Sequence, residues 1–255
     1  MDKIKILISG CNGHMGQVLK NIIDDSSDLE VLAGFDKDEN TNFNFPVLTS
    51  LSSVCPGKDI TLPNVIIDFS SPEAVKEIIK FADKWNIPII IATTGITEET
   101  QKEIELLSKK IPVFQSANMS YEVCLLKNIL QLAATKLKNV DIEILERHHN
   151  RKKDAPSGTA LMLANAINKS LDNSMEIVYG RDKKRESNEI GISSIRGGNL
   201  AGVHEVSFYG KYEDLSIIHT SHSRDVFAEG SIIAANWLLK KEKPGLYNMD
   251  DLFED

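Results

Sequence analysis

The sequence predicts an α/β protein in which a parallel sheet flanked by helices is followed by a second domain of α+β type with a mixed sheet. Strand-like and helical segments alternate from Lys3 to Gln115, which is typical of a parallel sheet covered on both faces. Between Gly191 and Thr220, three strand-like runs follow one another with turns but without helices. That arrangement indicates a mixed or antiparallel sheet.

Five compact apolar runs are the predicted strands of the first domain. They are Lys3–Ser9, Leu29–Phe35, Asn64–Phe69, Ile87–Ala92 and Ile111–Gln115. Three segments between them have apolar residues at helical spacing. They are Met15–Asp25, Pro72 to about Lys84, and Glu98–Lys109. Ser71 before Pro72 is a helix-start signal. The segment Asp38–Thr49 is polar and rich in Asn, so we expect a loop there.

The second domain is predicted to contain two helices, four strands and a long loop. The helices are Tyr121–Leu137 and Gly158–Leu171. The strands are Val140–Glu146, Gly191–Arg196, Val203–Tyr209 and Leu215–Thr220. Asp172–Glu189 is polar, so we expect a mobile loop. A last amphipathic helix is predicted at Asp225–Lys240.

Length and composition limit the class of protein. The chain has 255 residues, 42% of them hydrophobic, and a formal net charge of -8, as expected for a soluble globular protein. The acidity argues against a nucleic-acid partner, which would require a broad basic face. No apolar run approaches the roughly 20 residues that span a bilayer, so we expect no membrane contact. The few, widely spaced cysteines show no disulfide framework and indicate the cytoplasm.

The segment Gly10-Cys11-Asn12-Gly13-His14-Met15-Gly16 lies between the first predicted strand and the first predicted helix. Its glycines allow a tight turn and let backbone N–H groups approach a pyrophosphate at the helix N-terminus. Asp36 ends the second strand, where an acidic side chain would bond the ribose hydroxyls of a dinucleotide. These features favour dinucleotide binding over an ordinary glycine-rich turn.

The residues after the second strand leave the choice of nicotinamide cofactor open. An aspartate such as Asp36 disfavours the 2′-phosphate of NADPH, whereas the neighbouring Lys37 would attract that phosphate. We therefore expect the protein to accept both NADH and NADPH.

Two polar segments follow later strands, at the place where ligands of such sheets bind. They are Ala92-Thr93-Thr94-Gly95 and Ser116-Ala117-Asn118-Met119. Their hydroxyl and amide groups could hold the nicotinamide ring and its ribose. Simple capping of two turns is an equally good explanation.

The segment Glu146–Thr159 concentrates two histidines and four basic side chains in an acidic chain. Ser157 can cap the helix that follows it, so that the N–H groups of Gly158 and Thr159 would face a carboxylate. Histidine exchanges a proton near neutral pH. We predict a site for a small anionic substrate. The alternative is a solvated basic loop with structural histidines.

His148 and His149 come at the end of a predicted strand. Neighbouring side chains on a strand point in opposite directions, so the two can share a role only if the strand ends between them. Lys152 follows on a loop and could face the same pocket as His148. The histidines lack carboxylate or cysteine partners at ligand spacing, so no metal site is predicted.

Taken together, these motifs resemble those of the bacterial dihydrodipicolinate reductases, also called 4-hydroxy-tetrahydrodipicolinate reductases. The resemblance covers nearly the whole chain. It rests on Gly10–Gly16, Asp68–Glu73, Ala92–Gly95, Ser116–Ser120, Glu146–Thr159, Ile195–Gly198, Ser223–Arg224 and Gly245–Leu252. The pattern His-His-x-x-Lys-x-Asp-Ala-Pro-Ser-Gly-Thr, from His148 to Thr159, is highly specific to this family.

The resemblance implies a Rossmann-like domain at residues 1–119 and 226–255, and a domain for substrate binding and oligomerisation at residues 120–225. It implies a homotetramer. It also implies hydride transfer from NADH or NADPH to 4-hydroxy-tetrahydrodipicolinate, a small dicarboxylate. The product is tetrahydrodipicolinate, an intermediate of lysine and diaminopimelate biosynthesis.

The resemblance also assigns roles to single residues. His148 would be the proton donor or acceptor, and Lys152 the second proton donor. The residues implied to bind substrate, with Ser157 added as the helix cap, are His149, Ser157, Gly158 and Thr159. The implied cofactor contacts, with Lys37 added because of its charge, are Gly10, Cys11, Asn12, Gly13, His14, Met15, Asp36, Lys37, Ala92, Thr93, Thr94, Ser116, Ala117, Asn118 and Met119.

Two alternatives remain on sequence grounds. One is another NAD(P)-dependent enzyme of this architecture, such as an amino-acid dehydrogenase. The other is a non-catalytic NAD(P)-sensing protein. The anion-binding segment Glu146–Thr159 argues against the first, and the presence of both His148 and Lys152 argues against the second.

Overall fold

The computed structural model of the protein describes residues 2–39, 42–55, 57 and 61–254. The chain divides into two compact units. Unit 1 comprises Met1–Ser120 and Asp225–Asp255, and unit 2 comprises Tyr121–Arg224. The middle of the chain thus forms one unit, and the two outer segments form the other.

The helices and strands follow in chain order. They are β1 (Ile4–Ser9), α1 (His14–Asp24), β2 (Leu29–Phe35), β3 (Val47–Leu48), β4 (Val65–Asp68), α2 (Pro72–Trp85), β5 (Ile89–Ile91), α3 (Glu98–Leu107), β6 (Pro112–Gln115), α4 (Tyr121–Lys136), β7 (Asp141–His148), α5 (Gly158–Ser170), β8 (Glu176–Tyr179), β9 (Glu189–Arg196), β10 (Gly202–Tyr209), β11 (Asp214–Ser221), α6 (Asp225–Leu238), β12 (Gly245–Tyr247) and a 3-10 helix at Met249–Phe253.

Unit 1 is built on a seven-stranded sheet in the order β12-β6-β5-β4-β1-β2-β3. All neighbouring strands in it are parallel. Helices α2 and α3 pack together on one face, and α1 and α6 pack together on the other. The predicted parallel sheet covered on both faces is confirmed. Such a sheet brings the carboxyl ends of its strands to one edge, where ligands bind.

Helix α2 begins where the sequence signal places it. The Ser71 hydroxyl accepts a hydrogen bond from the N–H of Ala74 at 3.4 Å, and Pro72 is the first helical residue. Val75 and Ile78, at helical spacing, are fully buried against the sheet. The cap fixes the start of the helix, and the apolar stripe fixes the face that it buries.

The predicted loop Asp38–Thr49 contains a short strand. Val47–Leu48 (β3) pairs in parallel with Gly34 and Phe35 of β2, so the loop prediction is wrong for these two residues. A two-residue strand has no alternation of apolar and polar side chains to reveal it, and its pairing depends on the open edge of β2. Asn40 and Thr41, in the same predicted loop, lie outside the described residues.

The sequence pattern also does not predict β12. Its three residues pair in parallel with Pro112, Val113 and Phe114 of β6. The ring of Tyr247 meets Trp237 of α6 edge-on at 5.3 Å between centroids, and Trp237 meets Phe114 at 6.2 Å. Strand pairing and aromatic packing therefore hold this late segment in unit 1.

Unit 2 is built on a five-stranded mixed sheet in the order β11-β10-β7-β9-β8. Strand β10 is antiparallel to both β7 and β11, whereas β9 is parallel to both β7 and β8. The predicted mixed sheet is confirmed. Helices α4 and α5 pack with its buried face, which includes Ile142, Ile144, Val206 and Phe208.

The predicted loop Asp172–Glu189 contains β8, which pairs in parallel with β9, so the loop prediction is wrong for Glu176–Tyr179. Polar side chains after β8 form ion pairs with the sheet. Arg181 lies 2.8 Å from Glu143 and 3.1 Å from Glu189, and Arg185 lies 3.2 Å from Glu143. Some of the polar residues that suggested a loop therefore form ion pairs with the sheet, and the sequence alone does not show these pairs.

We expect Phe114→Ala to lower the free energy of unfolding of unit 1 by about 3–5 kcal/mol, because a fully buried ring would be replaced by a cavity. Thermal unfolding followed by circular dichroism checks this. Leu106→Ala on α3, at a residue that is 59% exposed, is the control and should change stability little. Equal stability of the two variants would contradict the burial of the Phe114 ring against α6.

Candidate active site

The predicted phosphate-binding loop connects β1 to α1 in unit 1. Gly10 has a φ of 78°, a left-handed conformation that favours glycine. A Cβ at Gly10 would overlap the carbonyl of Phe69, and a Cβ at Gly16 would overlap the backbone of Gly10 and Cys11. Both positions therefore require glycine, and the loop lies tightly against the end of β4.

Asp36, directly after β2, bonds to this loop. Its Oδ2 accepts from the N–H of Asn12 at 2.9 Å, and its Oδ1 accepts from the N–H of Lys37 at 2.8 Å. The Asn12 side chain in turn donates to the carbonyl of Asp38 at 2.8 Å. These bonds hold the loop against the end of β2 and fix the direction of the Asp36 carboxylate.

The side chain of Cys11 is buried beneath the loop, against Gly34. Burial, and then the nearby negative charge of Asp36, raises the pKa of its thiol to about 11. Cys11 therefore stays a neutral thiol at physiological pH.

A cavity of about 770 Å³ opens beside the phosphate-binding loop. Five predicted cofactor residues belong to its wall: Gly10, Asn12, Gly13, Asp36 and Lys37. The predicted segments Ala92–Thr94 and Ser116–Met119 follow β5 and β6 and are not part of this wall. Cys11, His14 and Met15 are not part of it either.

The wall also contains residues that the sequence reasoning missed, among them Ser70, Ser71, Glu73 and Glu77. Glu73 and Glu77 are four residues apart on α2, so one face of the helix supplies both. The helix-start signal at Ser71 and this spacing were the available clues. They did not suffice because the sequence does not show which face of α2 borders the cavity.

Side-chain hydroxyl groups bond to the backbone at the ends of β4, β5 and β6. The Thr93 Oγ1 accepts from the N–H of Ser70 at 2.8 Å, and the Ser116 hydroxyl donates to the carbonyl of Asn118 at 2.7 Å. The Ser70 hydroxyl donates to Asp68, whose pKa is raised by burial. Ser116 thus bonds within its own turn, as the capping alternative expects, whereas Thr93 bonds the backbone that follows the neighbouring strand β4.

In unit 2 the basic segment follows β7. The side chains of Ile142, Ile144, Glu146 and His148 alternate onto the buried face of the sheet. His148, at 8% exposure, is therefore the last residue of a buried row. The strand ends between His148 and His149, which is the condition for both to serve one site.

Glu146 is fully buried, and both of its oxygens accept hydrogen bonds. Its Oε2 accepts from Nδ1 of His148 at 2.5 Å and from Nη1 of Arg196 at 2.9 Å. Its Oε1 accepts from Nη2 of Arg196 at 2.7 Å and from the backbone N–H of Ser157 at 3.1 Å. Burial alone would raise the pKa of Glu146, but the hydrogen bonds from Arg196, Ser194 and His148 outweigh it and lower the pKa to about 2. Glu146 is therefore ionised at neutral pH.

The pKa of His148 is lowered from its ordinary value. Burial of the ring is the largest cause, Glu146 opposes it, and the positive charges of Lys152 and Arg196 add to the lowering. The neutral imidazole therefore predominates at neutral pH. A neutral histidine beside a lysine ammonium is suited to accept and return a proton.

The loop after β7 is fastened to the turn between β9 and β10. The N–H of His149 donates to the carbonyl of Leu200 at 2.8 Å, and the N–H of Gly197 donates to the carbonyl of His148 at 2.9 Å. Among the described residues, Nδ1 of His149 is buried without a hydrogen-bond partner. The loop backbone is thus fixed, while this ring nitrogen has capacity for a further bond.

Lys152 lies on the same loop. Its Nζ is 2.9 Å from Oδ1 of Asp154, and this hydrogen bond is the main cause that lowers the pKa of Asp154. The charge of Lys152 also acts on the ring of His148. Of the two residues predicted to transfer protons, Lys152 thus lies on the loop directly after β7, and its charge lowers the pKa of the other, His148.

Ser157 caps α5 as the sequence predicts. Its hydroxyl accepts from the N–H of Ala160 at 3.2 Å. The same hydroxyl lies 3.2 Å from Nε2 of His204. Apart from its chain neighbours and the backbone of α5 itself, no described atom lies within 4 Å of a Cβ built on Gly158, so there is open space beside this helix N-terminus. That space can admit a carboxylate.

The sequence reasoning assigned no role to Glu146, Arg196 or His204. The ring of His204 meets His148 edge-on at 5.2 Å between centroids. Burial, and then the proximity of His148, lowers the pKa of His204 to about 4, so His204 is neutral at physiological pH. The available signal for Glu146 was its place two residues before His148 on an alternating strand.

Within the described residues, no group of three or more His, Cys, Asp or Glu side chains could hold a metal ion. In the same part of the chain, no helix has both the length and the apolar character needed to cross a membrane.

Family models match both units of the chain. The model described as dihydrodipicolinate reductase, N-terminus, matches residues 4–119, and the one described as dihydrodipicolinate reductase, C-terminus, matches residues 122–253. The two matches cover most of the chain, including the phosphate-binding loop and the segment Glu146–Thr159.

Named relatives agree with these models. A 4-hydroxy-tetrahydrodipicolinate reductase of Caldanaerobacter subterraneus subsp. tengcongensis is 48% identical over 253 residues, with 98% of each chain covered. One of Clostridium perfringens is 42% identical over 255 residues, also with 98% of each chain covered. The solved structure of a dipicolinate-bound dihydrodipicolinate reductase from Paenisporosarcina sp. TG-14 has a TM-score of 0.82 at 25% identity, covering 98% of this chain and 99% of that one.

These comparisons decide between the alternatives that the sequence left open, in favour of the reductase. The chain belongs to the dihydrodipicolinate reductase family and is an oxidoreductase.

Proposed function

We propose that this protein reduces 4-hydroxy-tetrahydrodipicolinate to tetrahydrodipicolinate with NADH or NADPH, in lysine and diaminopimelate biosynthesis. The observation that carries the proposal is the buried Glu146–His148 pair beside Lys152 and the start of α5. Family membership supports the reaction. The Paenisporosarcina relative binds dipicolinate, which supports a dicarboxylate substrate here.

Unit 1 is the proposed cofactor site. The residues fit a dinucleotide, because Gly10 and Gly16 leave no room for side chains and let the loop backbone approach a pyrophosphate. The Asp36 carboxylate, on the cavity wall, is placed to accept from ribose hydroxyls. Ala92–Thr94 and Ser116–Met119, at the ends of the next strands, would hold the nicotinamide end. When bound, the reduced nicotinamide supplies the hydride.

Unit 2 is the proposed substrate site. The N-terminus of α5 offers the N–H groups of Gly158 and Thr159 to one carboxylate, and Ser157 fixes the first turn of the helix. The buried Nδ1 of His149 can donate a hydrogen bond to a carboxylate. The ammonium group of Lys152 attracts the dianion and orients it before reaction.

His148 and Lys152 would handle the protons. Hydride addition to the ring leaves negative charge that must be met by a proton. The Lys152 ammonium carries such a proton, and its bond to Asp154 limits where it can point. The neutral ring of His148 can accept a proton and pass it on.

The first experiment is an assay of NADH and NADPH oxidation, with substrate generated in place by a dihydrodipicolinate synthase. We expect rapid oxidation that depends on the synthase product. Folded protein that oxidises neither cofactor would refute the proposed reaction.

We expect His148→Gln to lower kcat by about 10²–10⁴-fold, because the group that transfers the proton would be lost. Substrate affinity should fall only modestly. The matched control is His222→Gln, at an exposed histidine of the same unit, which should keep normal turnover. Unchanged turnover in His148→Gln would remove His148 from the mechanism.

We expect Lys37→Ala to weaken use of NADPH more than use of NADH. The Lys37 side chain is 87% exposed on the cavity wall, where an ammonium can meet the 2′-phosphate. The measurement is kcat/KM with each cofactor, and Lys109→Ala on the surface of unit 1 is the charge control. Equal losses with both cofactors would refute the phosphate role.

We also propose that unit 2 joins four copies of the chain. The edge strand β11 and the turn before it expose large apolar side chains, with Tyr212 at 88%, Ile218 at 57% and Leu215 at 44%. Apolar side chains on an open strand edge favour association with another chain. Light scattering after size-exclusion chromatography should give four times the chain mass of 28.3 kDa. A monomer would contradict this arrangement.

A further inference from the structure

We propose that Glu146, held by Arg196, is the positioning residue for His148: it fixes which ring nitrogen carries the proton and links that choice to the start of α5. The inference deepens the proposed function, because it rests on the role of His148 in proton transfer.

The donors to Glu146 come from three different elements. His148 lies on the same strand, Arg196 ends β9, and the N–H of Ser157 precedes α5. Arg196 also donates to the carbonyl of Asp154 at 2.6 Å. One buried ion pair therefore holds the His148 ring and the loop that leads into the carboxylate-binding helix start. A shift of Glu146 would move both.

The hydrogen-bond pattern determines the tautomer of His148. The Arg196 guanidinium and the Ser157 N–H can only donate, so Glu146 accepts through both oxygens and is an ionised carboxylate. Such a group has no proton to give, so its contact with Nδ1 of His148 at 2.5 Å places the proton on Nδ1. Nε2 is then the atom that exchanges a proton with the substrate.

Gly202 keeps this second nitrogen uncovered. A Cβ at Gly202 would lie 3.1 Å from Nε2 of His148, tighter than ordinary contact. Strand β10, which pairs with β7, thus has no side chain at position 202, where a side chain would cover the edge of the His148 ring that carries Nε2.

Charged and titratable groups reach His148 from each neighbouring element. They are Glu146 on β7, Arg196 on β9, His204 on β10 with His219 on β11 beyond it, and Lys152 with Asp154 on the loop. Glu146 favours the protonated ring, whereas Lys152 and Arg196 disfavour it. Removing Glu146 and removing Arg196 must therefore shift the pKa of His148 in opposite directions.

Glu146→Gln tests the tautomer. The backbone N–H of Ser157 and Nη2 of Arg196 both point at the Oε1 position, whereas Nη1 of Arg196 and Nδ1 of His148 face the Oε2 position. An amide oxygen at Oε1 leaves one fixed donor, Nη1 of Arg196, against the amide NH₂, whereas an oxygen at Oε2 would leave two, so we expect the oxygen at Oε1. The amide NH₂ would then face Nδ1 of His148 and force the ring proton onto Nε2. We expect NMR of the histidine ring nitrogens to show this inversion, with kcat about 10–100-fold lower and KM little changed.

Arg196→Met tests the charge. This variant keeps the Nδ1–H tautomer of His148 but removes the positive charge that compensates Glu146. The pKa of His148 therefore rises. In a plot of kcat against pH, the limb that reports the ionisation of His148 moves to higher pH. In Glu146→Gln the negative charge is lost, so the pKa falls and the same limb moves to lower pH. Ring-nitrogen NMR titrations measure both shifts directly.

The matched control is Glu143→Gln. Glu143 lies on the same strand, on the opposite face, and is paired with Arg181 at 2.8 Å and Arg185 at 3.2 Å. Its loss removes a similar ion pair that does not contact His148. We expect lower stability, with the tautomer and pKa of His148 unchanged. A purely structural role for Glu146 would make the two glutamine substitutions behave alike.

The tautomer of His148 in the unsubstituted protein tests the proposal even if a variant does not fold. A His148 with its proton on Nε2 would overturn the proposal, as would shifts of the same sign in Glu146→Gln and Arg196→Met. The tautomer is read without substrate. An inactive protein with the proton on Nδ1 would refute the proposed reaction and still support the positioning role of Glu146.

Discussion

Burial of the ionised Glu146 carboxylate at the end of β7 is the constraint on which the site in unit 2 depends. A buried charge is tolerated only where donors surround it. Arg196, Ser157 and His148 supply those donors, so β9, the start of α5 and the end of β7 must meet at one point. The same carboxylate that requires these partners opposes the effect of burial on His148. Packing and proton chemistry are therefore set by one group.

In unit 1 the constraint is different: backbone N–H groups of the glycine loop must be able to approach an anion closely. Its parallel strands end at one edge, and side-chain hydrogen bonds there join two pairs of neighbouring ends: Asp36 after β2 to Asn12 after β1, and Thr93 after β5 to Ser70 after β4. Gly10 lets the loop pass tightly over β4. The loop is therefore fastened to the strand ends by hydrogen bonds, and helices pack on both faces of the sheet below it.

Local signals predicted most of the fold and much of the candidate site. Strand and helix periodicity located the main elements, and the cap at Ser157 follows directly from its sequence neighbours. The failures have one physical cause. Strands β3, β8 and β12 are short and exist through pairing with distant segments. Arg196 and His204 meet the site because the sheet register sets them opposite His148 and Glu146. Register is a property of two strands, so neither strand reveals it alone.

Helix α6 and strand β12 follow unit 2 in the chain but belong to unit 1. During synthesis, all of unit 2 leaves the ribosome before the last pieces of unit 1 are made. Until then the edge of β6 lacks its partner strand, and the sheet face that α6 covers, beside the ring of Phe114, is open to water. The N-terminal half is thus translated first and completed last. In the nascent chain it is this exposed sheet, more than the uninterrupted middle unit, that needs protection from association with other chains.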